Sequence, residues 1–97
     1  MLLDTAHLKL EVAADAQRQG DRAIEELGHA RAILLELLAA LDDDAAPELT
    51  TDLRALYQWM IRELIGTSRV PDADRVDGVR RVLVTLRDGF NQAAEAA

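Results

Sequence analysis

Apolar residues recur along almost the whole chain at steps of three and four. Leu3, Ala6, Leu10 and Ala13 show the interval first; it stacks side chains on one face of an α-helix and predicts a first helix over about residues 2–19. Gly20-Asp21 interrupts the pattern. Glycine suits the left-handed conformation at a helix C-terminus, and Asp21 can cap the next helix. Glu25 lies four residues on, so a strict capping box is absent. A second helix is expected over about 22–41, with Leu27, Ala30, Leu34, Leu37, Leu38 and Leu41 as its stripe. Gly28 inside it costs about 1 kcal/mol against Ala and predicts a close helix–helix contact. The run Asp42-Asp43-Asp44-Ala45-Ala46 reads as an acidic loop, and Pro47 suits a first helical turn. The third helix, about 47–65, carries Leu49, Leu53, Leu56, Met60 and Leu64, with Gly66-Thr67-Ser68 as its end. After Pro71, with Asp72 or Asp74 as cap, the fourth helix (72–94) sets Val76, Val79, Leu83, Leu86, Phe90 and Ala93 in a nearly heptad seam. Nothing alternates with the period of a strand. Four amphipathic segments with short connections predict an all-α fold: one domain over 1–97, an antiparallel up-down-up-down four-helix bundle.

A bundle helix needs one apolar stripe, and two of these have more. Met1, Thr5, Leu8, Val12 and Ala16 form a second line on the first helix. At about 100° per residue, Leu8 and Val12 point almost opposite Leu10, so both lines cannot enter one interior. On the third helix, Tyr57, Ile61 and Ile65 follow one flank of the core stripe and Trp59 the other; Leu35 and Val84 also lie off their stripes. Contiguous exposed apolar surface marks a partner. Leu8, Val12, Leu35, Tyr57, Ile61, Ile65 and Val84 are therefore the candidate partner-binding residues. The alternative is that wide stripes are wholly buried, single exposed apolar residues being ordinary.

Composition narrows the partner. Of 97 residues, 49% are hydrophobic but only 3% aromatic, and 30% are charged, a mix of helix formers. Eleven basic residues against 18 acidic ones give a net charge of -7. This argues against nucleic acid, which draws its affinity from Lys and Arg; Lys9 is the only Lys. Without Cys there is neither a disulfide nor a thiolate zinc site. No apolar run approaches the roughly 20 residues that cross a bilayer, and Met1-Leu2-Leu3-Asp4 lacks the regions of a signal peptide. A cytoplasmic protein without membrane insertion is expected.

Candidate chemistry is sparse. His7 and Glu11 share a helix face at a spacing that could hold two metal ligands, but no third is near, and a solvated ion pair is the plainer reading. His7-Leu8-Lys9 is similar to the phosphorylated His with Leu-Lys-Gly of histidine phosphotransfer bundles, though here Leu-Lys comes one residue early and the Gly is missing. His29 lies off its stripe, and Ser68 is the only Ser, in an expected loop without a His near it in sequence. The Asp42–Asp44 run lacks the spacing of a calcium loop, and Glu48 with Asp52 reads as surface charge. Neither catalytic residues, nor a metal, nor a cofactor is expected.

Leu56-Tyr57-Gln58-Trp59-Met60-Ile61-Arg62 resembles the Leu-Tyr-x-aromatic-Met-x-x-Arg signature of the flagellar secretion chaperones, the FliS family. Gly20-Asp21 resembles their turn between the first two helices, Met1-Leu2-Leu3-Asp4-Thr5-Ala6 their Met-Leu-Tyr-Asp-Gly-Ala stretch, and Leu83 to Phe90 their closing pattern. Leu3 and Thr5 replace the usual Tyr and Gly, Leu8 stands at a usually polar position and Lys9 at a usually apolar one. Members normally carry a segment before the Met-Leu-Tyr stretch, so the chain is expected to be a short form with part of its bundle uncovered. The resemblance implies a four-helix bundle that binds the C-terminal helical segment of flagellin, disordered until bound. It implies further that the bundle prevents premature polymerisation in the cytoplasm and delivers the subunit to the export gate. Self-association through the first helix is the alternative reading.

Overall fold

The stripes meet in one core. Leu10, Leu27, Leu34, Met60, Leu64, Val76, Val79 and Leu83 are fully shut off from solvent, with Ala6, Ala13 and Ala30 between them. Each of the large side chains contributes about 1.5–3 kcal/mol by leaving water. The small alanines on α1 and α2 let those two helices approach. The computed structural model describes the backbone of residues 2–96 and the side chains of residues 2–92. Its elements are α1 (Leu2–Arg18), α2 (Ile24–Ala39), α3 (Pro47–Arg69) and α4 (Ala73–Ala96). No strand occurs among the described residues. Each helix packs on its successor and α4 closes back on α1, while the diagonal pairs, α1 with α3 and α2 with α4, make no close backbone approach.

The relative direction of α1 and α4 is read from their contacts. Arg87 donates to Asp4 (3.2 Å), Arg80 meets His7 (3.4 Å) and Arg18 pairs with Asp77. Residue numbers climb on α1 as they fall on α4, so the two run antiparallel. At one end of the molecule, Gln17 joins four segments. Its amide nitrogen donates to the carbonyls of Arg22 (3.1 Å) and Thr67 (3.0 Å), and its oxygen accepts from the Asp72 N–H (2.9 Å). The end of α1, the α1–α2 turn, the end of α3 and the approach to α4 thus converge on one buried side chain.

The turns obey local chemistry. Gly20 takes φ 88°, as a helix-ending glycine does. Ala23 is also left-handed, at φ 55°, a conformation that costs an L-residue about 1–2 kcal/mol. The Asp21 carboxylate, accepting from the Ala23 N–H at 2.8 Å, and burial of the Ala23 methyl hold it there. Asp72, not Asp74, caps α4, taking the Arg75 N–H at 3.2 Å. In the acidic loop Asp42 accepts from the Asp44 N–H, and its carbonyl accepts from the Thr50 hydroxyl.

Several expectations are corrected. α2 is shorter than 22–41, because the left-handed Ala23 starts it late and the turn after Ala39 ends it early. α3 runs through Gly66 to Arg69 instead of stopping at 65. Thr67 and Ser68 return their hydroxyls to the carbonyls of Leu64 and Ile65, and the missing Gly66 side chain makes room for an arginine: a Cβ there would lie 2.8 Å from Arg75 Nη2. Gly28 marks no helix–helix contact; only the Arg31 guanidinium comes within 4.0 Å of its would-be Cβ. Leu49 is exposed and Thr50 buried in its stead. Tyr57 is only 2% exposed and belongs to the core. Phe90 is 42% exposed. Met1 and the Ala93 side chain lie outside the described residues.

Candidate functional site

With the core complete, the predicted residues and the apolar surface around them fall in three places, while Leu2, Leu49, Trp59, Val70 and Phe90 are exposed elsewhere. The first is the outer crest of α1, where Leu8 is 57% and Val12 46% exposed. Both lie far round the helix from the buried line Ala6, Leu10, Ala13 and Gln17. Asp4, Glu11 and Asp15 border them.

The second is the flank shared by α2 and α3. Arg54 reaches Asp43, just beyond α2 (3.0 Å), and so marks the α2-facing side of α3. Ile61 and Ile65 continue from it at helical spacing on that side, both half-buried. On α2, Leu37 borders a cleft with Leu2 and Leu3 of α1 and Phe90 of α4. The other side of α2 therefore turns to α3. It carries Leu38, then Leu35 at 53% exposure and Ile24 at 56%. Tyr57 stands on the same side of α3 but deeper, beneath this surface, and burial raises its phenol pKa. As an exposed anchor it is corrected: the ring fills the core that the flank rests on.

The third place is the α1–α4 seam, where Val84 is half-buried. Charges dominate there. Asp77 accepts from Arg18 and from Arg80 (3.2 Å), and Arg80 reaches His7, itself 3.7 Å from Glu11. Burial pushes the Asp77 carboxyl up, but the hydrogen bonds from Arg18 and Arg80 prevail and hold it below its ordinary value. A polar cavity of about 370 Å³ opens beside this network, lined by Glu11, Ala14, Asp15, Arg18, Asp77 and Arg80. The His7 ring is only 17% exposed, and its Nε2 is taken by Arg80. It is not the free surface histidine that phosphoryl transfer requires. Among the described residues no group of three or more His, Cys, Asp or Glu could hold a metal ion. Nor is any described helix long and apolar enough to cross a membrane.

The predicted residues therefore do not form one patch. Leu35, Ile61 and Ile65 share a face; Leu8 and Val12 share another; Val84 is set among arginines. The sequence reading missed Ile24, whose signal was its spacing with Leu35 along the α3-facing side of α2.

The family model for the flagellar protein FliS matches residues 1–97. The chain belongs to the flagellar protein FliS family. Among its relatives is the flagellar secretion chaperone FliS of Salmonella typhimurium (strain LT2), 30% identical over 100 residues. That alignment covers 100% of this chain and 74% of the relative. The family signature is now explained in part by packing: in Leu56-Tyr57-Gln58-Trp59-Met60, Tyr57 and Met60 are core, Leu56 is half-buried, and Trp59 reaches the surface at 36% exposure.

Proposed function

We propose that the chain is a cytoplasmic export chaperone that binds the C-terminal helical segment of flagellin and keeps it from polymerising before secretion. One observation carries the reading: Leu8, Val12, Ile24 and Leu35 stand exposed on a bundle whose core closes without them. Such surface is costly to leave in water unless a partner covers it. An amphipathic helix gains affinity by laying its apolar face on a groove of this type. A segment disordered before binding loses conformational entropy, so it needs a broad surface, and two separate apolar faces supply one. Membership of the FliS family, and a relative named for chaperoning flagellar secretion, point the same way. Hand-over of the bound subunit to the export gate is the second half of the proposal.

The test is calorimetric titration with a flagellin C-terminal segment, together with light scattering of flagellin polymerisation. One-to-one binding with a negative heat-capacity change and delayed polymerisation are expected. Unchanged polymerisation with no binding heat would remove the reading. Self-association through α1 is the second reading, favoured by the Leu8–Val12 crest; sedimentation across concentration, with Leu8→Asp as control, separates the two.

A further inference from the structure

Apolar packing anchors α1 less than the other helices. Among its buried side chains only Leu10 is a large apolar one; Ala6, Ala13 and Ala14 are small and Gln17 is polar. By contrast α2 buries Leu27 and Leu34, α3 Met60 and Leu64, and α4 Val79 and Leu83. Polar contacts along the α1–α4 seam therefore matter more for holding α1 in place. They are Arg87 with Asp4, Arg80 with His7 and Arg18 with Asp77.

The outer two of these join opposite charges, and the middle one does not. Arg80 Nη1 lies 3.4 Å from His7 Nε2, a hydrogen bond only while that nitrogen keeps its lone pair. The same nitrogen lies 3.7 Å from Glu11 Oε1, one turn further along α1. Without a proton, Nε2 accepts from Arg80. With one, it donates to Glu11 and sets a second positive charge against the guanidinium. A single atom thus faces two partners of opposite charge, and its proton decides which of them it serves.

The charges around the ring set the direction of the effect. On α1, Asp4 and Glu11 flank His7 a turn to either side. On the α1-facing side of α4, Asp77 and Arg80 precede Val84 and Arg87 and Asp88 follow it, while Arg81 is exposed. Arg87 is held by Asp4 and Asp88, and Asp77 by Arg18 and Arg80. The α4 charge in contact with the ring is therefore the Arg80 guanidinium. α2 packs on the other side of α1, and α3 lies diagonally across the core. Asp4 and Glu11 accompany His7 whether or not α1 is docked, whereas Arg80 meets it only in the docked state. Protonation of His7 accordingly weighs against docking.

We propose that His7 is a proton-operated latch on α1. Neutral, it ties α1 to α4 through Arg80; protonated, it turns to Glu11, the tie across the seam is lost, and mild acid loosens α1. At 17% exposure the ring can exchange its proton with water. The latch goes beyond the chaperone reading: it needs no partner, and it acts on the helix that carries the Leu8–Val12 crest.

Amide hydrogen exchange of the full chain, followed by NMR, tests the latch between about pH 8 and about pH 5.5, where histidine changes charge and ordinary carboxylates do not. After correction for intrinsic exchange, α1 amides should lose about fivefold protection relative to those of α3 on acidification, the weight of one hydrogen bond. Ring nitrogen shifts of His7 should show the Nδ1–H tautomer at the alkaline end, which leaves Nε2 free to accept. His7→Gln should make α1 protection independent of pH over this span; His29→Gln should not, since His29 is exposed on α2. Arg80→Leu should give the acid level of protection throughout, with circular dichroism showing that the variants stay helical. An Nε2–H tautomer at the alkaline end overturns the proposal. So does α1 protection that stays constant relative to α3, or that falls equally in His7→Gln. The tautomer is read on the parent chain, so the test stands even where a seam variant fails to fold.

Discussion

Replacing Gln17 with Leu removes the side chain on which four segments converge. Gln17 makes three hydrogen bonds, to the Arg22 and Thr67 carbonyls and from the Asp72 N–H. At about 1 kcal/mol net each, they contribute about 3 kcal/mol. The Thr67 contact is the buried one, so stranding its carbonyl lies toward the costly end of that range. Leu has a similar size and recovers about 1 kcal/mol by burying more apolar surface. The expected loss is therefore about 2–3 kcal/mol, a large part of the roughly 5–10 kcal/mol available to a domain of this size. It should appear as a fall in melting temperature of about 10–20 °C. Urea unfolding followed by circular dichroism measures it, with an unchanged m-value showing that the same surface is exposed. Gln17→Glu sharpens the test. The new carboxylate can still accept from Asp72, but it faces two carbonyls that only a protonated oxygen can serve. Its folded pKa is raised, the folded state binds the extra proton, and stability must fall as pH rises through the carboxylate range. A loss below about 0.5 kcal/mol for Gln17→Leu, the size of an ordinary surface change, would refute the convergence on Gln17 as a source of stability. A Glu variant equally stable at neutral and acid pH would do the same.

Burial and charge set the other expectations. Leu8→Asp with Val12→Asp should leave the melt within about 0.5 kcal/mol of the parent, while binding of the flagellin segment weakens in calorimetry if the α1 crest is part of the partner surface. Tyr57→Ala should lose about 3–5 kcal/mol in urea unfolding, marking Tyr57 as core; a well-folded variant with lost binding would contradict its placement. Asp77 carries a depressed pKa, so the stability it contributes is present above the ordinary carboxylate pKa and is lost as pH falls through the folded value. Arg18→Ala should flatten that acid limb in pH-dependent melts. In Gly66→Ala the new methyl meets Arg75, which should disturb the Arg75–Glu63 pair and return the lowered Glu63 pKa toward its ordinary value, while helix propensity favours Ala by about 1 kcal/mol; NMR titration of Glu63 reads the first effect and thermal melts the second.

Helix existence and the facing of each core stripe were legible because a period of three to four is a property of one helix, readable without its neighbours. Ala6, Leu10, Leu27, Leu34, Met60, Leu64, Val79 and Leu83 lie where that period put them. The angular distance of Leu8 and Val12 from their stripe was equally local, and so was their exposure. The flanks were another matter. Tyr57, Ile61 and Ile65 differ by less than half a turn round one helix, and whether such a position is sealed depends on how closely the next helix approaches. Tyr57 went inside and the isoleucines stayed at the margin. Gly66 gave the same local signal as a helix stop, yet Arg75, from another helix, passes over it. Gly28 carried the signal of a close contact and faces only an arginine. The pairing that sets Arg18, Arg80 and Arg87 against acids on the α1–α4 seam was invisible for the same reason. Charge balance along a chain is a sum, whereas an ion pair needs two particular helices side by side. The amino-acid sequence by itself thus determined the helices and their inward faces; the tertiary structure alone decided which edges of those faces meet water, and with which charges.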